Sequence, residues 1–126
     1  MNKRILTLTL NPCIDKTITI DKFTYGGLNR ATAVRADIGG KGINVSKVLK
    51  ELEVESIPVL LTAGFTKDKI IEDLENHKFN YHSIEVNGIN RINVKIQAKE
   101  ETAINTNGLF ISDYHINQIV DYFNIL

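Results

Sequence analysis

Gly39-Gly40-Lys41-Gly42-Ile43-Asn44-Val45-Ser46-Lys47-Val48-Leu49-Lys50-Glu51-Leu52, followed after four residues by Ile57-Pro58-Val59-Leu60-Leu61, reads as a glycine turn, a helix and a strand. Val45, Val48, Leu49 and Leu52 stand at i, i+3, i+4 and i+7, the spacing of a buried helical face. Residues 57–61 are apolar without interruption, as a strand covered on both sides would be. Working back towards the start, residues 5–10 alternate Leu with Thr and predict a buried first strand, broken by Asn11-Pro12. Residues 17–20 and 31–36 read as short extended pieces on either side of a Tyr25-Gly26-Gly27 turn. Working forward, Gly64 marks a turn, residues 67–78 read as a helix with Ile70, Ile71 and Leu74 inward, and residues 81–86 as a third core strand. In residues 91–98, Ile92, Val94 and Ile96 alternate with Arg91, Asn93 and Lys95, one apolar and one polar face of a sheet. Residues 102–105 are extended again, and Ser112 caps a last helix with Ile116, Ile119, Val120 and Phe123 inward.

Strands alternating with helices predict an α/β fold with a parallel sheet. The short two-faced strands do not suit that core and are assigned to a small second sheet. Core elements are expected at about 5–10, 43–86 and 112–124, and strands of the small sheet at about 14–20, 29–36, 90–98 and 101–106. The two sets interleave with no linker, so the small sheet is expected to be a lid grown from the core.

The chain has 126 residues, enough for one small domain, and its fifteen basic and fifteen acidic residues cancel. That balance gives no electrostatic footprint for nucleic acid or an anionic membrane. No segment approaches the roughly 20 apolar residues that cross a bilayer. The apolar run at 5–10 is too short and too rich in Thr for a signal peptide. The single cysteine, Cys13, has no internal partner and suits a reducing cytoplasm.

Four features bear on chemistry. The segment Gly39-Gly40-Lys41-Gly42 with Asn44 lets a backbone approach a ligand closely at a helix start, where free N–H groups favour anions or hydroxyls. Lys41 adds charge, and Asn44 both donates and accepts. The segment is not a phosphate-binding Walker loop, because Gly42 follows Lys41, nor a dinucleotide fingerprint, because Val45 stands at the third glycine. A plain glycine turn is the alternative. Asp15 follows the break at the C-terminal end of the first strand, the edge where open α/β sheets bind ligands, or else is a solvated turn residue. Arg30 and Arg91 fall on small-sheet strands, where two guanidiniums could hold a phosphate by paired hydrogen bonds or simply face solvent. Lys95 shares the polar face of Arg91. His77, His82 and His115 show no ligand spacing, so no protein metal site is read.

Taken together, these residues resemble one family. Asn11-Pro12-Cys13-Ile14-Asp15, Asn29-Arg30, Gly39 to Asn44 and Arg91-Ile92-Asn93-Val94-Lys95-Ile96 are similar, in order, to segments of the 1-phosphofructokinases and tagatose-6-phosphate kinases. These are PfkB-type, ribokinase-like carbohydrate kinases. The likeness runs from about residue 5 to residue 112. It implies a Rossmann-like three-layer sandwich with a small β-sheet lid, and a cytoplasmic enzyme phosphorylating an alcohol group of a ketohexose phosphate with ATP and Mg2+. It implies that Asp15 and Asn44 bind sugar hydroxyls, that Gly39, Gly40 and Lys41 line the same site, and that Arg30 and Arg91 contact the substrate phosphate. It also implies fructose 1-phosphate or tagatose 6-phosphate as ligand and a homodimer through the lid sheet, with no nucleic acid and no membrane as partner.

The departures are Thr102-Ala103-Ile104-Asn105, Lys67 after Gly64-Phe65-Thr66, and Gly108-Leu109, none at a proposed sugar contact. Members of the family are more than twice as long. Their catalytic Asp lies in a Gly-Ala-Gly-Asp segment, and here no Asp follows a Gly-x-Gly and no glycine follows Gly108. The expectation is therefore an N-terminal fragment supplying the acceptor side, without the catalytic Asp or the ATP site and inactive alone. The alternative is a non-catalytic sugar-phosphate-binding or dimerising module. Residues 5–10 and 57–61 would then lose sheet neighbours, and at least one of these strands is expected at an open edge. A nucleotide-binding oxidoreductase is excluded by the missing glycine.

Overall fold

The structure, a computed structural model, describes residues 4–126. In chain order the elements are β1 Leu6–Thr9, β2 Cys13–Thr19, β3 Ala33–Gly39, α1 Lys41–Glu51, β4 Ile57–Thr62, a 3-10 turn Gly64–Thr66, α2 Lys67–Asn76, β5 His82–Glu85, β6 Arg91–Gln97, β7 Glu101–Ile104 and α3 Asp113–Ile125. They form two sheets. One is parallel with order β1-β4-β5, and the other is mixed with order β3-β2-β6-β7. The α/β class and the separate small sheet are as the sequence predicts.

β4 is the axis of the core because its apolar run can face both ways. Successive side chains of a strand point to opposite faces. Leu60 meets Ile43, Ile70 and Leu74 on one side, while Leu61 meets Ala63, Ile84, Val86 and Ile119 on the other. Helices therefore cover both faces of the parallel sheet, α1 and α2 on one and α3 on the other. Burying each of these large side chains contributes about 1.5–3 kcal/mol.

Two helices turn differently from the expected pattern. In α1 the buried residues are Ile43 and Ser46, whereas Val45, Val48 and Leu52 are exposed, Val48 by 55%. The cause lies in β1, whose threonines rather than leucines face the helix. The hydroxyls of Thr7 and Ser46 share a hydrogen bond of 2.6 Å, Ser56 donates to Ser46 at 2.8 Å, and the Ile43 N–H donates to Thr9 at 3.0 Å. A buried hydroxyl left without a partner costs about 1–3 kcal/mol, and in this seam beneath α1 each hydroxyl has one. Gly42 permits the close approach, since a Cβ there would lie 2.6 Å from the Leu8 carbonyl oxygen. The first strand is thus buried only on its threonine side, and Leu8 is 41% exposed.

In α3, Ser112 is the N-cap as expected, and His115 completes a reciprocal capping box. Ile119 is buried and Phe123 partly so, but Ile116 and Val120 are exposed. α3 packs over the edge strand β5, where Tyr122 stacks on His82 at 3.7 Å, and a helix on an edge buries only a narrow stripe. α2 matches its pattern, with Ile70 and Leu74 buried, and the ion pair of Lys47 with Asp73 at 2.8 Å ties it to α1.

Of the two strands expected to lose neighbours, β1 is an edge of the core sheet and β4 lies between β1 and β5. In the second sheet, β2 is longer than residues 17–20 and pairs parallel with β6 and antiparallel with β3. β7 is exposed throughout. None of the described helices is long and apolar enough to cross a membrane.

Candidate functional site

The junction of the two sheets collects the candidate residues. β2 begins three residues beyond β1, after Asn11 and the buried Pro12. Asp15 therefore lies inside a strand of the second sheet and not in the turn after β1. Pairing places Cys13 opposite Gly39 and Arg91, and Asp15 opposite Asp37 and Asn93. Residues two apart on a strand share a face, so Cys13, Asp15, Gly39, Asp37, Arg91 and Asn93 face one way.

Asp15 accepts from Asn93 Nδ2 at 3.2 Å and from the Cys13 thiol at 3.4 Å. Asn93 Oδ1 accepts from the Thr106 N–H at 3.2 Å, and Thr106 Oγ1 donates to the Ile92 carbonyl at 2.9 Å. Asn93 is thereby locked with its amide towards Asp15. Arg91 donates from Nη1 to the Thr106 carbonyl at 3.5 Å, while its Nε is buried with no acceptor among the described residues. Burial pushes the Cys13 thiol up, the Asp15 carboxylate adds to this, and the Arg91 guanidinium opposes it. Cys13 is accordingly a neutral donor at pH 7.

Gly39 has a different reason from the one the sequence suggests. A Cβ there would strike the Asp15 carboxylate and lie 2.9 Å from the Cys13 sulfur. It makes room for Asp15 rather than freeing a loop. Gly40 does supply conformational freedom, with φ 137° as the N-cap of α1. Lys41 and Asn44 stand exposed on the first turn of α1, with one of its N–H groups already taken by Thr9.

Arg30 is not on a strand. It is exposed in the segment between β2 and β3 and makes no side-chain hydrogen bond or ion pair among the described residues. The asparagine before it, Asn29, ties that segment into a turn by bonding Thr24 and Gly27, which is what ends the strand pattern there. The structure thus brings together Asp15, Gly39 and Arg91, with Gly40, Lys41 and Asn44 following directly on, and leaves Arg30 apart.

Asn93, Asp37 and Asn105 were not singled out from the sequence. They line, with Asp15, Arg35 and Lys95, a concave surface of about 410 Å³. The signal available was strand register: two residues beyond Arg91 on the same face is Asn93. Arg35 is ion-paired to Asp37 at 2.8 Å, and Lys95 lies 3.8 Å from Glu101. A larger hollow of about 590 Å³ opens at the opposite end of the parallel sheet, beside Ile57 and Asn80, and none of the candidate residues lines it. No three His, Cys, Asp or Glu side chains among the described residues are grouped to hold a metal ion.

Carboxylate, amides and a guanidinium on one face suit a polyol bearing an anion. Comparison with known proteins bears on which kind. The chain is 40% identical over 122 residues to the 1-phosphofructokinase of Bacillus subtilis, matching 97% of this chain and 40% of that one. It is 32% identical over 117 residues to the D-tagatose-1-phosphate kinase of Bacillus licheniformis, matching 93% and 38%. The crystal structure of a Staphylococcus aureus protein assigned as a phosphofructokinase superposes with a TM-score of 0.87 at 44% identity, over 94% of this chain and 39% of that one. The chain spans about two fifths of the length of these relatives. Residues 8–121 match the pfkB family carbohydrate kinase pattern, and the chain belongs to that family.

Proposed function

We propose that the chain supplies the acceptor-binding side of an ATP-dependent sugar-phosphate kinase that phosphorylates a hydroxyl of a ketohexose phosphate. Residues 1–126 are then part of a PfkB-type kinase domain, with the four-stranded sheet as a lid over the acceptor. The observation that carries this reading is the shared face of Asp15, Asn93, Gly39 and Arg91, with the buried Arg91 Nε still able to donate. Asp15 and Asn93 would hold sugar hydroxyls, Asn44 a further hydroxyl, and Arg91 the phosphate. Gly39, Gly40 and Lys41 would line the approach, and Arg30 would join by movement of its exposed segment. Fructose 1-phosphate and tagatose 6-phosphate, the two ligands that the resemblance implies, are the ones to test.

ATP would be the donor, with Mg2+. The concave face is made mostly of charged and amide side chains, with no apolar slot for a purine among its lining residues, so it does not fit ATP. The same reading includes a homodimer through the four-stranded sheet, whose edge strands β3 and β7 expose Val34 and Ile104.

Titration calorimetry with each ketose phosphate, and with the unphosphorylated ketose, tests the reading. Arg91→Ala should cost about 2–5 kcal/mol of ketose-phosphate affinity, the range for truncating one partner of a charge-assisted pair. Affinity for the free ketose should be unchanged. Equal losses for both would assign Arg91 a structural role, and no binding by the unmodified chain would overturn the function.

A further inference from the structure

Asn90 is fully buried, with 0% of its surface exposed, directly before Arg91. Its Oδ1 accepts from the Ala63 N–H at 2.8 Å and its Nδ2 donates to the Leu61 carbonyl at 3.1 Å. Its own N–H donates to the Ala63 carbonyl at 3.2 Å, and its carbonyl accepts from the Thr66 hydroxyl at 2.9 Å. Four hydrogen bonds thus join one residue at the root of β6 to the end of β4 and the turn after it. β5 has already left the ladder there, its last bond running from the Val86 N–H to the Thr62 carbonyl. The Asn90 side chain extends that ladder and satisfies backbone groups of Leu61 and Ala63, both wholly buried.

An apolar residue at position 90 would fill the space and leave two buried backbone groups without partners. A side-chain amide is the group with one donor and one acceptor in the spacing of a peptide. Asn90 is bonded to the rigid core, and Arg91 is covalently next to it at the start of β6. The orientation of Arg91, and through β6 of Asn93, is therefore referred to β4.

We propose that Asn90 is a positioning residue that fixes the four-stranded sheet on the core and so sets Arg91 and Asn93 for the ligand. The ligand part rests on the function proposed above, whereas the anchoring part does not. Hydrogen exchange of the 126-residue chain tests the anchoring. Asn90→Asp keeps the shape but loses the donor to Leu61, and Thr66→Val loses only the hydroxyl, which lies 2.9 Å from the Asn90 carbonyl and 3.3 Å from that of Ala63. In Thr66→Val, amides of β6 and β2 should exchange about tenfold faster, the effect of about one lost hydrogen bond, and in Asn90→Asp, which sets a buried carboxylate against the Leu61 carbonyl, faster still, while α2 keeps its protection. Thr66→Ser, which retains the hydroxyl, should restore the original rates. Fructose 1-phosphate affinity should fall in step with the loss of β6 protection, and recover in Thr66→Ser.

If Asn90→Asp does not fold, Thr66→Val and Thr66→Ser decide the question. Unchanged β6 exchange in Thr66→Val, or acceleration spread evenly over α2 and β6, overturns the proposal. A chain that binds no ketose phosphate in its original form would remove the function, and the exchange experiment would still decide the anchoring.

Discussion

The two sheets differ in what covers them. The parallel sheet hides β4 between helices, and Leu60, Leu61, Ile70 and Leu74 are wholly buried. The mixed sheet has its outer strands in solvent: β7 is exposed along its whole length and β3 up to Asp37. Few apolar contacts and solvent-facing hydrogen bonds are the marks of a region that opens at low free energy. The polar candidate residues sit where the exposed sheet is rooted in the buried one, at Cys13, Gly39 and Arg91. A binding face on the outer strands would lack a fixed reference, and one inside the core would have no access.

The contrast can be broken most directly in the cores themselves. Leu74→Ala should lower unfolding free energy by about 2–5 kcal/mol in urea titrations, since it leaves a cavity under a fully enclosed side chain. Ile104→Ala, on the exposed β7, should change it by no more than about 0.5 kcal/mol. Comparable losses would mean that the mixed sheet carries as much of the stability as the parallel one.

A smaller effect distinguishes the free edges. β1 is an edge strand of the parallel sheet with Leu8 and Leu10 exposed beside it. An apolar edge with unpaired backbone groups is a template for another chain. The isolated chain should therefore form species larger than a dimer at micromolar concentration. Leu8→Lys should remove them in size-exclusion with light scattering, leaving any dimer made through the mixed sheet. If Val34→Lys removes the larger species and Leu8→Lys does not, the sticky edge belongs to the mixed sheet.

The smallest effect is one of pH. Burial against α3 holds the His82 imidazole below its ordinary value of 6.5. The unfolded chain then binds the proton more readily, so this contribution to stability is complete above pH 6.5 and is lost as pH falls through the folded-state value. His82→Phe, which keeps a ring to stack on Tyr122, should flatten the acid side of the stability profile below pH 6.5. An unchanged slope would place the acid sensitivity elsewhere.

Much of this was legible in the residue order. The apolar run at Ile57 to Leu61 reads as a covered strand, and the period of Ile70, Ile71 and Leu74 as a helix. Separated motifs from Asn11 to Ile96 carried the family. The polar alternation in Arg91 to Gln97 separated the second sheet from the first. What pattern could not decide was the rotation of α1 and α3, because periodicity finds an apolar stripe but not the neighbour that covers it. Thr7, Thr9 and Ser46 meet on the buried side of α1, where their hydroxyls are paired, and the valines of α1 face outward. Register between distant strands was equally hidden. Only pairing across β3, β2 and β6 put Asp37 and Asn93 beside Asp15, and only the turn held by Asn29 took Arg30 away from them. The sequence by itself determined the order of strands and helices and which family they belong to, because those depend on local period and short motifs. Tertiary structure alone decided which faces meet and which polar groups converge, because those depend on contacts between residues as far apart as Cys13 and Arg91.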